Sequence, residues 1–188
     1  MSKYDLIAIG ASAGGFEAVC QIVSRLPADF DIPVALVQHR AKDSRALAEL
    51  LQDCCALRVT EVDDKQPIEP RTLYVAPPDY HLLVDDGAFA LSTEGLVGYS
   101  RPSIDVFFDS AADAFGPGVI GVVLTGANTD GSKGLRKIVA RGGQAIVQDP
   151  ETAEVAIMPN GAKKAVAHAK VLSLHEIANH LMALEQLV

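Results

Sequence analysis

Residues 4–15 read YDLIAIGASAGG and set the pattern that the rest of the chain repeats. Their first half, Tyr4–Ile9, is an almost uninterrupted apolar run, which is typical of a strand buried on both faces. The residues of Gly10–Gly15 are small and suit a tight turn, and apolar residues then recur at helical spacing until Pro27. A strand, a glycine-rich turn and a helix in this order predict the first βα unit of a parallel sheet.

The same alternation of apolar runs and helical periods continues along the chain. It predicts an α/β fold with a doubly wound, mostly parallel sheet and helices on both faces. Asp86-Gly87, a two-residue turn signal between His81–Asp85 and Ala88–Ser92, predicts one inserted antiparallel hairpin. The other predicted strands are Ile32–Val37, Arg58–Glu61, Thr72–Val75, Val119–Leu124, Gln144–Val147 and Ala169–Leu172, and the other predicted helices are Ser44–Cys54, 102–114, Ser132–Ala140, Gly161–Ala167 and one that begins at Leu174.

Composition narrows the possible classes of function. The 188 residues suffice for a single domain, and a formal net charge of −8 without a run of Lys or Arg argues against nucleic-acid binding. The N-terminal apolar run is broken too early for a signal peptide or a membrane span, so we expect a cytoplasmic protein without membrane insertion. Cys20, Cys54 and Cys55 lack metal-ligand spacing, and we expect three reduced packing residues and no bound metal.

Three loops that follow predicted strands carry reactive side chains. Ser12 follows the first strand, His39 follows the second, and Asp130 follows Val119–Leu124. Because the carboxyl ends of parallel strands meet at one edge of a sheet, we expect these three side chains to lie close together. Serine, histidine and aspartate are the nucleophile, the base and the group that orients the base in a hydrolytic triad.

The glycine-rich turn has two interpretations. Its small residues would let a substrate carbonyl reach the Ser12 hydroxyl, and N–H groups near Ala13 and Gly14 would stabilise the oxyanion that forms. Taken alone, such a turn more often binds a phosphate or a dinucleotide. Here Ser12 breaks the G-x-G-x-x-G spacing, Gln38-His39-Arg40 stands where a ribose-binding acid is expected, and no G-K-[ST] sequence occurs. The hydrolase is favoured, and a nucleotide or phosphate binder remains an alternative.

Several long motifs follow one another in order from about Lys3 onward: IAIGASAGG (Ile7–Gly15), LVQHR (Leu36–Arg40), LYVAPPDYHLLV (Leu73–Val84), RPSIDVFFDSAA (Arg101–Ala112), GVVLTGANTDGSKGL (Gly121–Leu135) and IVQDPETAEV (Ile146–Val155). Together they resemble the catalytic domain of the CheB family, the chemotaxis receptor methylesterases. The resemblance implies a cofactor-free serine hydrolase that removes methyl esters from glutamates on the cytoplasmic helices of methylated chemoreceptors, releasing methanol. Some family members also deamidate receptor glutamines. The resemblance implies that Ser12 is the nucleophile, His39 the base and Asp130 the group that orients the base. The positions of these residues after predicted strands indicate the same roles.

The chain departs from the family's usual sequence at two positions, and the resemblance also implies partners. Ala13 and Ala127 replace a threonine and a methionine that are frequent in the family, yet their backbone N–H groups remain candidates for the oxyanion hole. Well-known members carry a receiver domain, so we expect residues 1–188 to be a stand-alone catalytic domain or a fragment. A separate receiver or methyltransferase protein of the same pathway is a candidate partner. Tyr80 and Arg101 are candidates for receptor contact, and a non-catalytic signalling scaffold of this fold remains an alternative.

Overall fold

The computed structural model describes residues 3–40 and 46–185. Its helices are at most 12 residues long, and none within these ranges could span a membrane. The strands are β1 Leu6–Ala11, β2 Val34–Gln38, β3 Arg58–Glu61, β4 Thr72–Val75, β5 His81–Asp85, β6 Ala88–Ser92, β7 Val119–Val123, β8 Gln144–Gln148 and β9 Lys170–Leu172. The helices are α1 Gly15–Val23, α2 Leu47–Cys54, α3 Ile104–Phe115, α4 Ser132–Ala140, α5 Ile157–Ala165 and α6 Leu174–Glu185.

The predicted doubly wound parallel sheet is confirmed. Over the described ranges, seven strands pair in parallel in the order β3-β4-β2-β1-β7-β8-β9. Alternate residues of β1 enter two cores because side chains on a strand point to opposite faces. Ile7 and Ile9 join the core that contains α1, α2 and α6, whereas Leu6 and Ala8 join the core that contains α3, α4 and α5. Burial on both faces explains the uninterrupted apolar run at the start of the chain.

The strand order reverses at β1. From β1 the chain moves to β2 on one side, and β7 returns later to pair with β1 on the other. Loops that leave the carboxyl ends of neighbouring strands on either side of such a reversal open a crevice between them. The loops after β1, β2 and β7 therefore meet at one edge of the sheet.

The predicted antiparallel hairpin is confirmed, with the boundaries that the sequence indicates. β5 and β6 form a separate two-stranded sheet joined by Asp86 and Gly87, whose φ angles are 46° and 76°. Positive φ at both central residues is the requirement of a type I′ hairpin turn, and Asp-Gly meets it at little cost. The hairpin is fastened to α3 by the Val84 N–H, which donates to Ser110 Oγ at 3.1 Å.

Some predicted boundaries are wrong for local reasons. β2 begins at Val34 and not at Ile32, because the intervening Pro33 has no N–H to donate to a strand ladder. α5 begins at Ile157, four residues before the predicted start, because Pro159 lies in the first turn, where helical N–H groups have no acceptor. α2 begins at Leu47, and the predicted start at Ser44 lies outside the described residues.

The expectation of three reduced cysteines is wrong for two of them. Cys20 on α1 and Cys54 at the end of α2 form a disulfide with their Cα atoms 5.8 Å apart. The two helices lie side by side on one face of the sheet and bring residues 34 positions apart within bonding reach, which no sequence spacing reveals. Cys55 is the free, buried cysteine of the described chain, and burial raises the pKa of its thiol despite a hydrogen bond with the backbone of Leu57.

Candidate active site

Ser12 directly follows β1 and is held by its backbone. Its N–H donates to the Thr125 carbonyl at 3.0 Å, which joins the loop after β1 to the loop after β7. Its carbonyl accepts from Gln38 Nε2 at 3.0 Å and from the Gly15 N–H at 2.8 Å. These backbone bonds hold the half-buried Ser12 against the loop after β7, the end of β2 and the start of α1. The side chain of Ser12 takes no part in them.

The N-terminus of α1 presents free N–H groups beside Ser12. Gly14 is the N-cap residue, with a left-handed φ of 74°, and it carries no side chain to satisfy the first turn. Within the described chain, neither Ala13 nor Gly14 donates its N–H to an acceptor. Free N–H groups at a helix N-terminus attract negative charge, as the oxyanion interpretation of this turn requires.

An acidic side chain covers part of this turn. A Cβ atom on Gly14 would lie 2.6 Å from Oε2 of Glu154 and 2.8 Å from its Cβ, so the Glu154 side chain rests directly against the glycine. The Glu154 side chain takes up space over Gly14 that a bulky phosphate held by the turn would need. This contact counts against the phosphate-binding interpretation of the glycine-rich turn.

His39 directly follows β2. Its N–H donates to the Ala11 carbonyl at 3.0 Å and extends the β1–β2 ladder by one residue. Only 12% of its side chain is exposed. The ring lies between two polar partners of the loop after β7: Nε2 is 2.8 Å from Asp130 Oδ2, and Nδ1 is 3.2 Å from Asn128 Nδ2.

Asp130 belongs to the loop after β7, and its side chain reaches the N-terminus of α3. Its carboxylate accepts from the N–H groups of Ile104 at 2.7 Å and Asp105 at 2.9 Å, and from Ser103 Oγ at 3.0 Å, in addition to facing His39. Burial raises the pKa of Asp130, but the bonds from His39, Asp105 and Ile104 together outweigh it, so the pKa lies below its usual value. Asp130 is therefore an anion at neutral pH, and it faces the imidazole.

A second acidic group shares this helix N-terminus. Burial raises the pKa of Asp105, the Gly134 N–H that donates to its Oδ1 at 2.8 Å lowers it, and the charge of Asp130 raises it again. The net effect is a raised pKa for Asp105 and a lowered one for Asp130. The α3 N-terminus stabilises the anion that contacts His39 in preference to its neighbour.

The structure brings two of the three predicted groups into direct contact. His39 and Asp130 are hydrogen-bonded, although they are separated by 91 positions in the chain. The Ser12 hydroxyl lies at the same sheet edge, but it makes no hydrogen bond to His39 or to any other residue that the structure describes. Of the further oxyanion candidates, Ala127 is exposed, whereas the N–H of its neighbour Gly126 is already donated to the Val155 carbonyl at 3.0 Å.

Tyr80 and Arg101 occupy different settings. Tyr80 is 41% exposed and presents a large apolar surface to solvent. The Arg101 guanidinium donates to Asp79 Oδ1 at 2.6 and 3.0 Å and to the carbonyls of Thr93 and Glu94, each at 2.8 Å. In this arrangement Arg101 fastens the chain after β6 to the loop before β5. A contact between either residue and a receptor stays a prediction.

A cavity of about 450 Å³ opens beside the imidazole. A larger one, of about 590 Å³, lies between α3 and α4 and is lined by neither Ser12 nor His39, whereas His39, but not Ser12, lines the smaller cavity. Leu96 and Tyr99 line its mouth and are 57% and 98% exposed. The residues lining the smaller cavity are His39, Arg40, Leu96, Tyr99, Ser100, Arg101 and Pro102.

Sequence reasoning missed two residues of this site. Asn128 lies in the loop that presents Asp130 and was not among the predicted site residues, yet its amide contacts His39 directly. Ser103 lies at the start of the predicted helix 102–114 and was not among the predicted site residues, yet its hydroxyl donates to Asp130. A serine before a helical period indicates a helix cap. The bond from Ser103 to Asp130, however, joins residues 27 positions apart and forms only in the folded chain.

Comparison with known proteins identifies the family. Residues 7–181 match the family model described as CheB methylesterase. The chain belongs to the CheB methylesterase family. The crystal structure of the Thermotoga maritima CheB methylesterase catalytic domain superposes on this family member with a TM-score of 0.92 and 32% identity, covering 97% of this chain and 99% of that one.

Two relatives with assigned names are similar to this CheB family member over nearly its whole length. A Leptospira interrogans protein with a provisional protein-glutamate methylesterase/protein-glutamine glutaminase name is 45% identical over 186 residues, covering 98% of this chain and 96% of that protein. The protein-glutamate methylesterase FrzG of Myxococcus xanthus is 40% identical over 181 residues, which cover 95% of this chain and 54% of FrzG. The chain thus spans nearly all of one relative and about half of the other.

Proposed function

We propose that this CheB family member is a protein-glutamate methylesterase in which Ser12 is the nucleophile, His39 the general base and Asp130 the group that orients the base. The observation that carries the assignment of residues is the hydrogen bond of 2.8 Å between His39 and Asp130, at the sheet edge where Ser12 also lies. The names of the relatives supply the substrate class: the methyl ester of a protein glutamate. The cytoplasmic helices of methylated chemoreceptors are the proposed substrate, and the cytoplasm is the proposed location.

The proposed reaction has two stages. His39 takes the proton of Ser12 while Oγ forms a bond to the ester carbonyl carbon, and the carbonyl oxygen becomes an anion. The negative charge of Asp130 stabilises the imidazolium that results. The imidazolium then gives its proton to the methoxy oxygen, the bond from that oxygen to carbon breaks, and methanol leaves. Water activated by His39 hydrolyses the acyl-serine and regenerates the free hydroxyl.

The oxyanion is assigned to backbone donors. The N–H groups of Ala13 and Gly14 have no acceptor among the described residues, and they lie at the positive end of α1 next to Ser12. The N–H of Ala127 is a third candidate from the facing loop. A donor of this kind typically contributes about 10² to 10³ to kcat. Glutamine deamidation would use the same groups, with ammonia in place of methanol as the leaving group.

The decisive experiment measures methanol released from a methylated chemoreceptor signalling fragment. Ser12→Ala should lower the rate by at least about 10⁴, because the substitution removes the hydroxyl that forms the proposed acyl intermediate. Ser24→Ala is the matched control, because Ser24 is exposed at the opposite end of α1 and should retain the full rate.

Two outcomes would contradict parts of the proposal. Full activity in a folded Ser12→Ala protein would overturn the nucleophile. Hydrolysis of simple esters without any methanol from the receptor fragment would retain the serine hydrolase and overturn the substrate.

A further inference from the structure

The amide of Asn128 has only one orientation that satisfies its neighbours. Its Oδ1 accepts from the N–H of Asp130 at 3.0 Å, so its Nδ2, which can only donate, faces Nδ1 of His39 at 3.2 Å. The opposite orientation would set an amide nitrogen against a backbone N–H. Asn128 therefore offers a donor to the imidazole.

The contact with Asp130 defines which ring nitrogen of His39 accepts a proton, and the orientation of Asn128 agrees with it. Nε2 faces the Asp130 carboxylate, which accepts only, so Nε2 carries the hydrogen of the neutral ring. Nδ1 then carries the lone pair and accepts from Asn128. The Ser12 hydroxyl has no hydrogen bond to His39 in this arrangement, and the in-plane lone pair of Nδ1 has room for one donor at a time.

We propose that Asn128 caps Nδ1 of His39, the nitrogen that the contact of Nε2 with Asp130 leaves as the proton acceptor, until the Ser12 hydroxyl replaces the amide. The inference rests on the proposed function and adds to it the identity of the reacting nitrogen. In the acylation step, the Asn128 amide leaves Nδ1, the proton of Ser12 moves to Nδ1, and Oγ forms its bond to the carbonyl carbon. The same proton then moves from Nδ1 to the leaving methoxy oxygen.

Two substitutions distinguish a cap on Nδ1 from a purely structural role of Asn128 in its loop. Asn128→Ala removes the cap, and we expect acylation to become about three- to tenfold faster, the equivalent of one neutral hydrogen bond lost from the resting state alone. Asn128→Asp keeps the oxygen that accepts from Asp130 but sets a carboxylate against Nδ1. This carboxylate holds a proton on Nδ1, so acylation at neutral pH should fall by at least about tenfold. If Asn128 served only to hold the loop, the aspartate variant would be the active one and the alanine variant the impaired one.

The assay is the burst of p-nitrophenolate released when p-nitrophenyl acetate acylates Ser12. Thr129→Ala is the matched control, because Thr129 is exposed in the same loop and makes no side-chain hydrogen bond with the described residues, and its burst should equal that of the unsubstituted protein. A burst that survives Ser12→Ala overturns the proposed function itself. A burst that Ser12→Ala abolishes but Asn128→Ala slows overturns the role of Asn128 alone.

A spectroscopic measurement tests the nitrogen directly. In ¹⁵N-histidine-labelled protein, at a pH where the His39 ring is neutral, we expect a protonated Nε2 and an unprotonated Nδ1. Asn128→Ala should leave Nδ1 unprotonated but shift its resonance because a hydrogen bond is lost, whereas Asn128→Asp should show a proton on both nitrogens. A protonated Nδ1 in the unsubstituted protein would contradict the proposal.

Discussion

At the scale of the residue, Asp130 serves two neighbours with one carboxylate. It contacts the imidazole of His39, and it accepts N–H groups of Ile104 and Asp105 that would otherwise lack acceptors at the start of α3. The helix N-terminus favours the charged form of Asp130, and this charge favours a protonated His39 during the reaction. The same contacts thus stabilise the fold and prepare the proposed general base.

The lowered pKa of Asp130 predicts a pH-dependent stability. Because its pKa is lower in the folded than in the unfolded chain, its contribution is complete above the unfolded value of about 3.9 and is lost as the pH falls through the folded value. Asp130→Asn removes this contribution. Urea unfolding between about pH 7 and about pH 3 should therefore show a steeper loss of unfolding free energy on the acid side for the unsubstituted protein.

Asp105 has the opposite effect on the pH dependence of stability, and it must be considered when the unsubstituted protein is compared with Asp130→Asn. Its raised pKa makes its contribution larger at acid pH than at neutral pH; burial, the largest cause, acts in both proteins, whereas the part due to the charge of Asp130 is absent from Asp130→Asn. Parallel curves for the unsubstituted protein and Asp130→Asn would contradict the assignment of the lowered pKa to Asp130.

At the scale of the element, the loops after β1 and β7 are joined by more than their strands. The buried hydroxyl of Thr125 donates to the Ala13 carbonyl at 2.8 Å and accepts from the Val155 N–H at 2.9 Å. Gly126 follows at the closest approach, where an added Cβ would lie 2.9 Å from Cβ of Ser12. Glycine is needed here because the two loops leave no space for a side chain.

Gly126→Ala should therefore move Ser12. The added methyl would also lie 2.6 Å from Cε of Met158, the flexible end of a buried side chain that can give way, so the contact with Ser12 Cβ is the one that requires the loops to shift. We expect a loss of about 1 to 3 kcal/mol in the free energy of unfolding, together with a large fall in methyl ester hydrolysis. Chemical denaturation and the methanol assay measure the two effects.

Gly95→Ala is the control for this substitution. A Cβ on Gly95 would meet nothing within 4 Å, so stability and activity should stay near those of the unsubstituted protein. Full activity and stability in Gly126→Ala would show that the loops can separate without cost, contrary to the close approach described above.

At the scale of the whole molecule, the disulfide ties together the first two βα units. Cys20 lies on the helix that begins beside Ser12, and Cys54 lies on the helix that follows the His39 loop. The bridge closes a segment of the chain that includes His39. Its main effect is to restrict the unfolded chain.

Reduction of this bridge should lower stability. In the chain-entropy model, a bridge over a separation of 34 residues contributes about 3 to 4 kcal/mol to the free energy of unfolding. Urea unfolding with and without dithiothreitol should show this difference in the unsubstituted protein and no effect of the reductant in Cys54→Ser. Equal stability of the oxidised and reduced protein would contradict a stabilising bridge.

The sequence determined the features that depend on neighbouring residues. The apolar run before Gly10–Gly15 identified a buried strand and its turn, and Asp86-Gly87 identified the hairpin, because periodicity and turn chemistry act over a few residues. The positions of Ser12, His39 and Asp130 after strands placed them at one edge, because parallel strands share the direction of their carboxyl ends.

Only the tertiary structure decided which partners these elements meet. The amide of Asn128 faces His39, Ser103 donates to Asp130, and Cys20 bonds to Cys54. Each of these contacts joins residues 27 to 89 positions apart and depends on the order of the strands and on the packing of the helices. Local pattern determines how a segment folds and which side it buries, whereas side-chain pairing depends on distances that exist only after the sheet and its layers have assembled.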